Sequence, residues 1–372
     1  MKKVLFIDRD GTIIKEPADE QIDSLEKLEF VPGAISGLRS VMQTDYLPLL
    51  VSNQDGLGTE SFPEDTFWPA HNKMLQTLKG EGVTFAREYI DRTFPADNAP
   101  TRKPGTAMLT EYMTDDYDLK HSYVIGDRAT DVQLAVNMGC RAILLQKPEV
   151  AATMLNTVQQ HVLALATDDW ADIAEFLRRT ERRAEVKRAT AETDIHVIVD
   201  LDGGGDTLVN TGLHFFDHML SQLPHHAGIS LYCVCKGDLE VDEHHTMEDV
   251  AIALGEALRT ALGSKRGIGR YGFVLPMDEC DAMVTLDFGG RIDFQWDVPF
   301  TREYVGDTPT EMFKHVFQSL CAAMQCNLHI KARGENNHHL VEGVFKAFAR
   351  ALRQAIHRNV FSYELPSSKG TL

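Results

Sequence analysis

A cluster of histidine and carboxylate residues occurs twice in this chain of 372 residues. Residues 242–249 read Asp-Glu-His-His-Thr-Met-Glu-Asp, and residues 336–342 read Asn-Asn-His-His-Leu-Val-Glu. On a helix, the first histidine and the glutamate of each copy lie on one face, whereas the second histidine is turned by about 100°. Each copy can therefore chelate one metal ion and offer its second histidine to another. The repeated pattern predicts a two-metal site.

The chemistry of the side chains narrows the choice of metal. The candidate ligands are His218, His244, His245, Glu248, His315, His338, His339 and Glu342. Imidazole and carboxylate groups without cysteine suit octahedral manganese, iron, cobalt or nickel better than a structural zinc ion. The alternative interpretation is a pair of solvated histidines at a helix end, which accounts for one copy more readily than for two.

A second group of chemically suited residues lies in the first half of the chain. The apolar residues 4–7 lead into Asp8 and Asp10, whose side chains point the same way on a strand and can share one magnesium ion. Further polar motifs follow in the order Ser52 and Asn53, Arg102 and Lys103, Asp127 and Asp131. The carboxyl ends of neighbouring strands converge in an open α/β sheet, so these motifs are expected to meet. The alternative is that Asp8 and Asp10 belong to a solvated turn.

The elements that must position these residues differ between the two halves. Helix-like stretches in the first half alternate with apolar segments at 4–7, 47–51, 123–125 and 142–145. This alternation predicts an α/β domain in which helices cover both faces of a parallel sheet. The second half contains two similar stretches, each with strands followed by a His-His helix, which predicts a duplicated α/β fold. We place the domains at residues 1–166 and 167–372, with a strongly charged helical segment as connector.

Composition limits the class of partner. The chain has 55 acidic and 37 basic residues and a net charge of −18, which argues against nucleic acid or an anionic membrane as a partner. No apolar run has the length of a membrane span, and Asp8 follows the N-terminus too soon for a signal peptide. Six scattered cysteines fit reduced thiols. We therefore expect a cytoplasmic protein that acts on small molecules.

The order of the motifs over roughly the first 145 residues resembles the haloacid dehalogenase-like phosphohydrolases. The resemblance implies that Asp8 is the nucleophile and that Asp10 protonates the leaving alcohol and then activates water. Ser52, Asn53 and Lys103 would bind the phosphoryl group. Magnesium would be held by Asp8, by the carbonyl group of Asp10 and by Asp127, with Asp131 as a supporting partner.

Within that superfamily, the first half is similar to histidinol-phosphate phosphatases. Those proteins often carry a zinc-binding loop with three cysteines and a histidine, but the matching residues 90–101 contain neither residue type. Structural zinc is therefore not expected, and packing or proline must shape the loop. Because a substrate-shaping element is missing, hydrolysis of another phosphomonoester remains the alternative activity.

Residues 188–372 are similar to imidazoleglycerol-phosphate dehydratases. The resemblance rests on the motifs at 215–220, 242–248, 265–270, 276–279, 337–342 and 367–370. It implies a duplicated α/β subunit, a hollow homo-oligomer of 24 subunits, and metal sites between subunits that hold two manganese ions through the eight candidate ligands. It also implies a phosphate-binding set consisting of Arg270, Arg291, Lys346, Ser367 and Lys369. A lysine such as Lys346 could instead cover the polar face of a helix.

The dehydratase resemblance further implies a reaction. Metal coordination makes an imidazole ring easier to deprotonate, and the electron-rich ring can then expel the hydroxyl group on the adjoining carbon. A base must remove a proton from the next carbon, and Glu192 and Glu342 are both candidates. Together the two resemblances imply a bifunctional enzyme of histidine biosynthesis, a lyase and a hydrolase in one chain. A metal-storage module is the non-enzymatic alternative, although storage would not need the phosphate-binding set.

Overall fold

The apolar segments of the first half form a single parallel sheet of six strands, in the order β3-β2-β1-β4-β5-β6. The computed structural model describes residues 2–359 and 363–372. The strands are β1 (Val4–Ile7), β2 (Leu47–Asn53), β3 (Arg87–Asp91), β4 (Tyr123–Gly126), β5 (Arg141–Leu144) and β6 (Leu163–Ala166). The helices are α1 (Ala34–Val41), α2 (Glu64–Gly80), α3 (Ala129–Met138), α4 (Pro148–Met154), α5 (Thr157–Val162) and α6 (Trp170–Glu181). The predicted α/β sheet is confirmed.

Apolar layers cover both faces of this sheet. Strand β1 alternates between them, with Leu5 and Ile7 in one layer and Val4 and Phe6 in the other. All four side chains are fully buried. A strand with both faces covered reads as an unbroken apolar run, which is why no polar residue interrupts β1 before the sheet edge.

Helix α6 is charged on one face but packs into the first half with the other. Trp170, Ile173 and Leu177 are fully buried in the layer that contains Leu5, and Trp170 Nε1 donates a hydrogen bond to the carbonyl oxygen of Thr12 at 2.9 Å. The chain divides into two compact units, Met1–Arg178 and Arg179–Leu372. The first unit thus extends past the predicted domain boundary at residue 166, because α6 completes its core.

The second unit contains two four-stranded sheets with the same topology. The strands of the first are β7 (Arg183–Ala189), β8 (Thr193–Asp200), β9 (Leu208–Asn210) and β10 (Ser230–Gly237), in the order β7-β8-β10-β9. Strands β11 (Tyr271–Met277), β12 (Cys280–Asp287), β13 (Asp293–Asp297) and β16 (Asn327–Arg333) repeat this arrangement as β11-β12-β16-β13. In both sheets the last pair in the order is parallel and the others are antiparallel. The predicted duplication is confirmed.

Helices and a small hairpin complete the second unit. They are α7 (His214–Leu220), α8 (Gln222–Ala227), α9 (His244–Leu262), β14 (Tyr304–Val305), β15 (Thr308–Pro309), α10 (Thr310–Met324) and α11 (Asn337–Ile356). One apolar core joins both sheets to these helices. The two His-His segments stand at the first turns of α9 and α11. In residues 2–359 and 363–372, no helix has both the length and the apolar character of a membrane span.

Candidate active sites

The first site lies where β1 and β4 end. Asp8 follows β1, and its Oδ1 atom lies 2.6 Å from Lys103 Nζ. The same ammonium group lies 2.7 Å from Asp131 Oδ1. Carboxylate oxygens of Asp8, Asp127 and Asp131 all lie within 4.8 Å of one another. We call these four residues the acidic site. Asp8 and Lys103 line a cavity of about 740 Å³, as do Asp10, Asn53 and Arg102 from the other predicted motifs.

The acidic site has more negative than positive charge. Burial raises the pKa of Asp8 well above its usual value, and the ammonium group of Lys103 only partly opposes this. Burial disfavours the charged form of Lys103 as well, but the charges of Asp131 and Asp8 outweigh it and raise the lysine pKa. The lysine is therefore a single fixed cation among three carboxyl groups, two of which it contacts. A further cation would balance them.

Asp127 is the carboxyl group best suited to take that cation. Its buried Oδ1 atom has no hydrogen-bond partner. Gly11, with a φ of +72°, leaves room for the group, because a Cβ atom there would lie 2.2 Å from Asp127 Oδ2. Burial, with the charge of Asp131 as the next cause, raises the pKa of Asp127 to about 7. Oxygen ligands of this kind fit a hard divalent ion such as Mg²⁺.

This environment predicts a stability gain for Asp127→Asn. The folded state keeps the Asp127 proton up to about pH 7, whereas the unfolded chain loses it near 3.8, so metal-free stability falls between those values. At pH 8 the asparagine variant should be more stable by about 4 kcal/mol without metal. We also expect magnesium to stabilise the asparagine variant less than the wild type. Thermal unfolding at pH 4 and pH 8, with and without magnesium, measures both effects. An equal response of the two proteins to magnesium would contradict this role of Asp127.

Asp10 belongs to a different network from the acidic site. Its carboxylate accepts hydrogen bonds from Arg9 at 2.8 Å and from Gln54 Nε2 at 2.5 Å. Arg9 is fully buried, and its guanidinium group lies 4.9 Å from the centre of the Phe67 ring. The Asp10 side chain still lines the cavity, which suits proton transfer rather than a ligand role. Arg9 and Gln54 were not among the predicted residues.

Ser52 and Asn53 support the site from the end of β2. Gln54 Nε2 donates to Ser52 Oγ at 2.8 Å. The Asn53 amide exchanges two hydrogen bonds with the backbone of Lys103, at 2.9 and 3.2 Å. Ser52 is buried, whereas Asn53 lines the cavity. Asn53 therefore fixes the segment that carries Lys103 against the sheet edge.

The histidines of the second unit form two clusters. In the α9 cluster, His244 Nε2 lies 3.2 Å from Glu248 Oε2, and the His244 ring centre lies 5.5 Å from that of His315. The α11 cluster consists of His218, His338 and Glu342, whose ligand atoms lie within 4.8 Å of one another. In each cluster one histidine comes from the other repeat of the second unit: His315 in the α9 cluster and His218 in the α11 cluster. Two imidazoles and a carboxylate fit a divalent transition-metal ion.

The second histidine of each His-His segment points away from the cluster that contains the first, as the rotation per residue of a helix predicts. His245 Nδ1 lies 3.2 Å from Asp238 Oδ2, and His339 Nδ1 lies 2.9 Å from Glu279 Oε2. Those hydrogen bonds are the leading cause of a raised pKa for both histidines. Within the described residues, a single chain thus does not bring the eight candidate ligands into one site. Asp238 and Glu279 were missed because neither belongs to the repeated motif.

Glu192 and the phosphate-binding candidates lie around these clusters. Glu192 Oε1 lies 3.7 Å from His245 Nε2. Lys346 Nζ lies 3.0 Å from Glu342 Oε1, beside the α11 cluster. Arg270 forms a two-pronged ion pair with Asp287 and donates to the Pro366 carbonyl oxygen at 2.8 Å.

The C-terminal tail brings other candidates near Arg270. Ser367 Oγ donates to the Thr371 carbonyl oxygen at 2.7 Å, and the tail ends beside Gly290, the neighbour of Arg291. Arg291 and Lys369 are exposed. Four of the five phosphate-binding candidates therefore lie in the C-terminal tail or in segments beside it. The fifth, Lys346, lies beside the α11 cluster.

Family models and curated relatives match both halves of the chain. Residues 211–352 match a family model described as imidazoleglycerol-phosphate dehydratase, and residues 100–169 match a HAD-hydrolase-like model. The chain is 58% identical to the histidine biosynthesis bifunctional protein HisB of Bacteroides fragilis and 54% identical to that of Spirosoma linguale, over the full length of all three chains. A crystal structure of imidazoleglycerol-phosphate dehydratase from Staphylococcus aureus aligns at 31% identity and a TM-score of 0.43, covering 48% of this chain and 99% of that one.

Proposed function

Because the chain belongs to the family of the histidine biosynthesis bifunctional protein HisB, we propose how each unit performs one of the two reactions of that family. The enzyme dehydrates imidazole glycerol phosphate to imidazole acetol phosphate and hydrolyses histidinol phosphate to histidinol and phosphate. It is thus a lyase and a hydrolase of histidine biosynthesis. The observation that carries the assignment of sites is the separation of the acidic site and the histidine clusters into different compact units.

In the first unit, Asp8 attacks the phosphorus atom and forms an aspartyl phosphate. Lys103, whose Nζ atom lies 2.6 Å from Asp8 Oδ1, neutralises charge on the transferring group. Asp10, held by Arg9 and Gln54, protonates the leaving alcohol and then takes a proton from the water that hydrolyses the intermediate. Bound magnesium would neutralise phosphoryl charge, with Asp8, Asp127 and the Asp10 carbonyl group as its ligands.

The wall of the cavity supports histidinol phosphate as the substrate. Acidic residues outnumber basic ones in the lining: Asp8, Asp10, Glu16, Asp19, Glu20 and Asp55 against Arg102, Lys103 and Arg128. Asp55 pairs with Arg102 and Glu16 pairs with Arg128, which leaves the wall with a net negative charge. Negative side chains at this position favour a leaving group with a positive amine over a neutral or anionic one. This charge distribution favours histidinol phosphate over the alternative of an unrelated phosphomonoester.

In the second unit, the two histidine clusters would each hold one manganese ion. Bound manganese would polarise the imidazole ring of the substrate. Glu192 is proposed to move the carbon-bound proton, because Glu342, the other candidate, is paired with Lys346 at 3.0 Å. Arg270, Arg291, Ser367 and Lys369 are proposed to bind the phosphate group, and Lys346 to support Glu342.

The second unit also supports assembly of several copies. Exposed apolar side chains, between 36% and 58% accessible, lie on β11, β12 and the segment before β13: Tyr271, Phe273, Val274, Met283 and Ile292. His245 and His339 point away from the ligand clusters of their own chain. We propose that 24 copies assemble and share metal sites, which would give a particle of about 1 MDa from chains of 41.6 kDa.

Reduced buried cysteines support a cytoplasmic location.

Separate assays of the purified full chain test this function. Manganese with imidazole glycerol phosphate should give the ketone product, and magnesium with histidinol phosphate should give inorganic phosphate. A panel of phosphate esters with neutral and anionic leaving groups serves as the control for the first unit. Equal kcat/KM across that panel would favour the alternative phosphatase and leave the dehydratase assignment intact.

A further inference from the structure

The segment between β3 and Lys103 forms one wall of the cavity in the first unit. Pro95, Asn98, Ala99 and Pro100 line the cavity from this loop. The loop contains only one 3-10 turn, Pro95–Asp97, and most of its side chains are exposed. Something other than a regular element must therefore hold it in place.

Both ends of this loop converge on a single buried carboxylate. Asp91, the last residue of β3, is 3% exposed. Its Oδ1 atom accepts hydrogen bonds from the backbone N–H of Thr93 at 2.9 Å and from Thr93 Oγ1 at 2.5 Å. Its Oδ2 atom accepts one from Thr101 Oγ1 at 2.6 Å. We call Asp91, Thr93 and Thr101 the clasp, because they join the beginning and the end of the loop.

A second contact reinforces the closed loop. Arg102 donates to the Thr93 carbonyl oxygen at 2.8 Å and forms a two-pronged ion pair with Asp55 after β2. Lys103, the next residue, is held separately by Asn53 and by its ion pair with Asp131. The position of the loop and the position of the phosphoryl-binding lysine thus depend on different groups.

We propose that Asp91 is a positioning residue for substrate specificity, which holds the loop over the leaving group without a metal ion. Two short O–H hydrogen bonds and one backbone N–H hydrogen bond meet at this one buried carboxylate, so side chains of the chain itself hold the loop closed. The inference rests on the proposed phosphatase function. It assigns the clasp to recognition of the alcohol portion of the substrate rather than to transfer of the phosphoryl group.

Two substrates separate these roles in the full-length enzyme. Histidinol phosphate reaches the loop through its leaving group, whereas p-nitrophenyl phosphate tests phosphoryl transfer with a leaving group of unrelated shape. Asp91→Ala and the double variant Thr93→Val/Thr101→Val remove the clasp in two different ways. Either change should raise KM for histidinol phosphate about tenfold or more, with kcat and the p-nitrophenyl phosphate reaction changed less than about threefold.

Conservative variants give the matched controls. Asp91→Asn keeps one acceptor for Thr93 and offers an amide donor to Thr101, so it should recover most of the wild-type KM. Thr77→Val removes an exposed hydroxyl group on α2, where Thr77 donates to the Lys73 carbonyl oxygen, and should leave both substrates unaffected. Dehydratase activity of the same chain reports the integrity of each preparation.

The outcomes are distinct. An unchanged KM for histidinol phosphate in both clasp variants would overturn the proposal. An equal loss with both substrates, together with a lower unfolding temperature of the first unit, would also overturn it, because Asp91 would then serve folding alone. Failure of the wild type to hydrolyse histidinol phosphate would instead reject the proposed phosphatase function.

Discussion

Asp8→Asn is expected to reduce phosphate release from histidinol phosphate by about 10⁴-fold or more, because an amide cannot form the aspartyl phosphate. The substitution keeps the shape of a side chain that is only 8% exposed, and it keeps one oxygen able to accept from Lys103 Nζ. The fold of the first unit should therefore persist. Steady-state assays with magnesium measure the loss, and dehydratase activity of the same chain should change less than about twofold.

An exposed aspartate provides the control for this variant. Asp115 lies outside the acidic site, so Asp115→Asn should retain wild-type phosphatase activity. Mass spectrometry of the Asp8→Asn protein must exclude deamidation, which would restore the wild-type residue. Residual activity above one hundredth of the wild type in an undeamidated sample would remove Asp8 from the nucleophile role.

His338→Ala is expected to lower the dehydratase kcat/KM by at least about 100-fold, because loss of a direct metal ligand should cost no less than loss of an outer-shell partner. Among the described residues, His338 is one of three proposed ligands in the α11 cluster, with His218 and Glu342. The variant should also require more manganese for half-maximal activity and retain less metal after gel filtration. Manganese titrations and elemental analysis measure these effects, and phosphatase activity should stay at the wild-type level.

A histidine outside both clusters serves as the comparison. His196 on β8 pairs with Glu185 at 2.8 Å, so His196→Ala should change neither manganese content nor dehydratase rate by more than about twofold. If the His338→Ala protein binds manganese as tightly as the wild type, the α11 cluster is not a metal site. The His244→Ala variant would then test the α9 cluster in the same way.

The regular geometry of strands and helices explains which parts of both candidate sites could be predicted from the sequence. Asp8 and Asp127 follow neighbouring parallel strands, and the edge at which such strands end brings them together. The separation of His244 and Glu248 from His245 follows from the rotation per residue of a helix. In each case the regular geometry of a strand or a helix determines which way a side chain points. That direction is enough to show which candidate ligands lie together.

Residues whose roles depend on tertiary contacts could not be predicted in this way. Arg9 lies between two aspartates in sequence, yet its role depends on Phe67 and Gln54, which come from other elements. The clasp at Asp91 depends on the loop returning to the end of β3. The sequence shows that this loop lacks the cysteines and histidine of a zinc site. The hydrogen bonds that close the loop can be seen only in the structure.

The packing of α6 has a practical consequence for splitting the gene into two separate enzymes. A fragment that ends at residue 166 would lose Trp170, Ile173 and Leu177 from the first core. Large buried side chains contribute about 2–5 kcal/mol each, so their joint removal approaches the whole stability of a typical domain, about 5–15 kcal/mol. An independently expressed phosphatase would therefore have to include α6, although the charged surface of that helix looks like a dispensable linker.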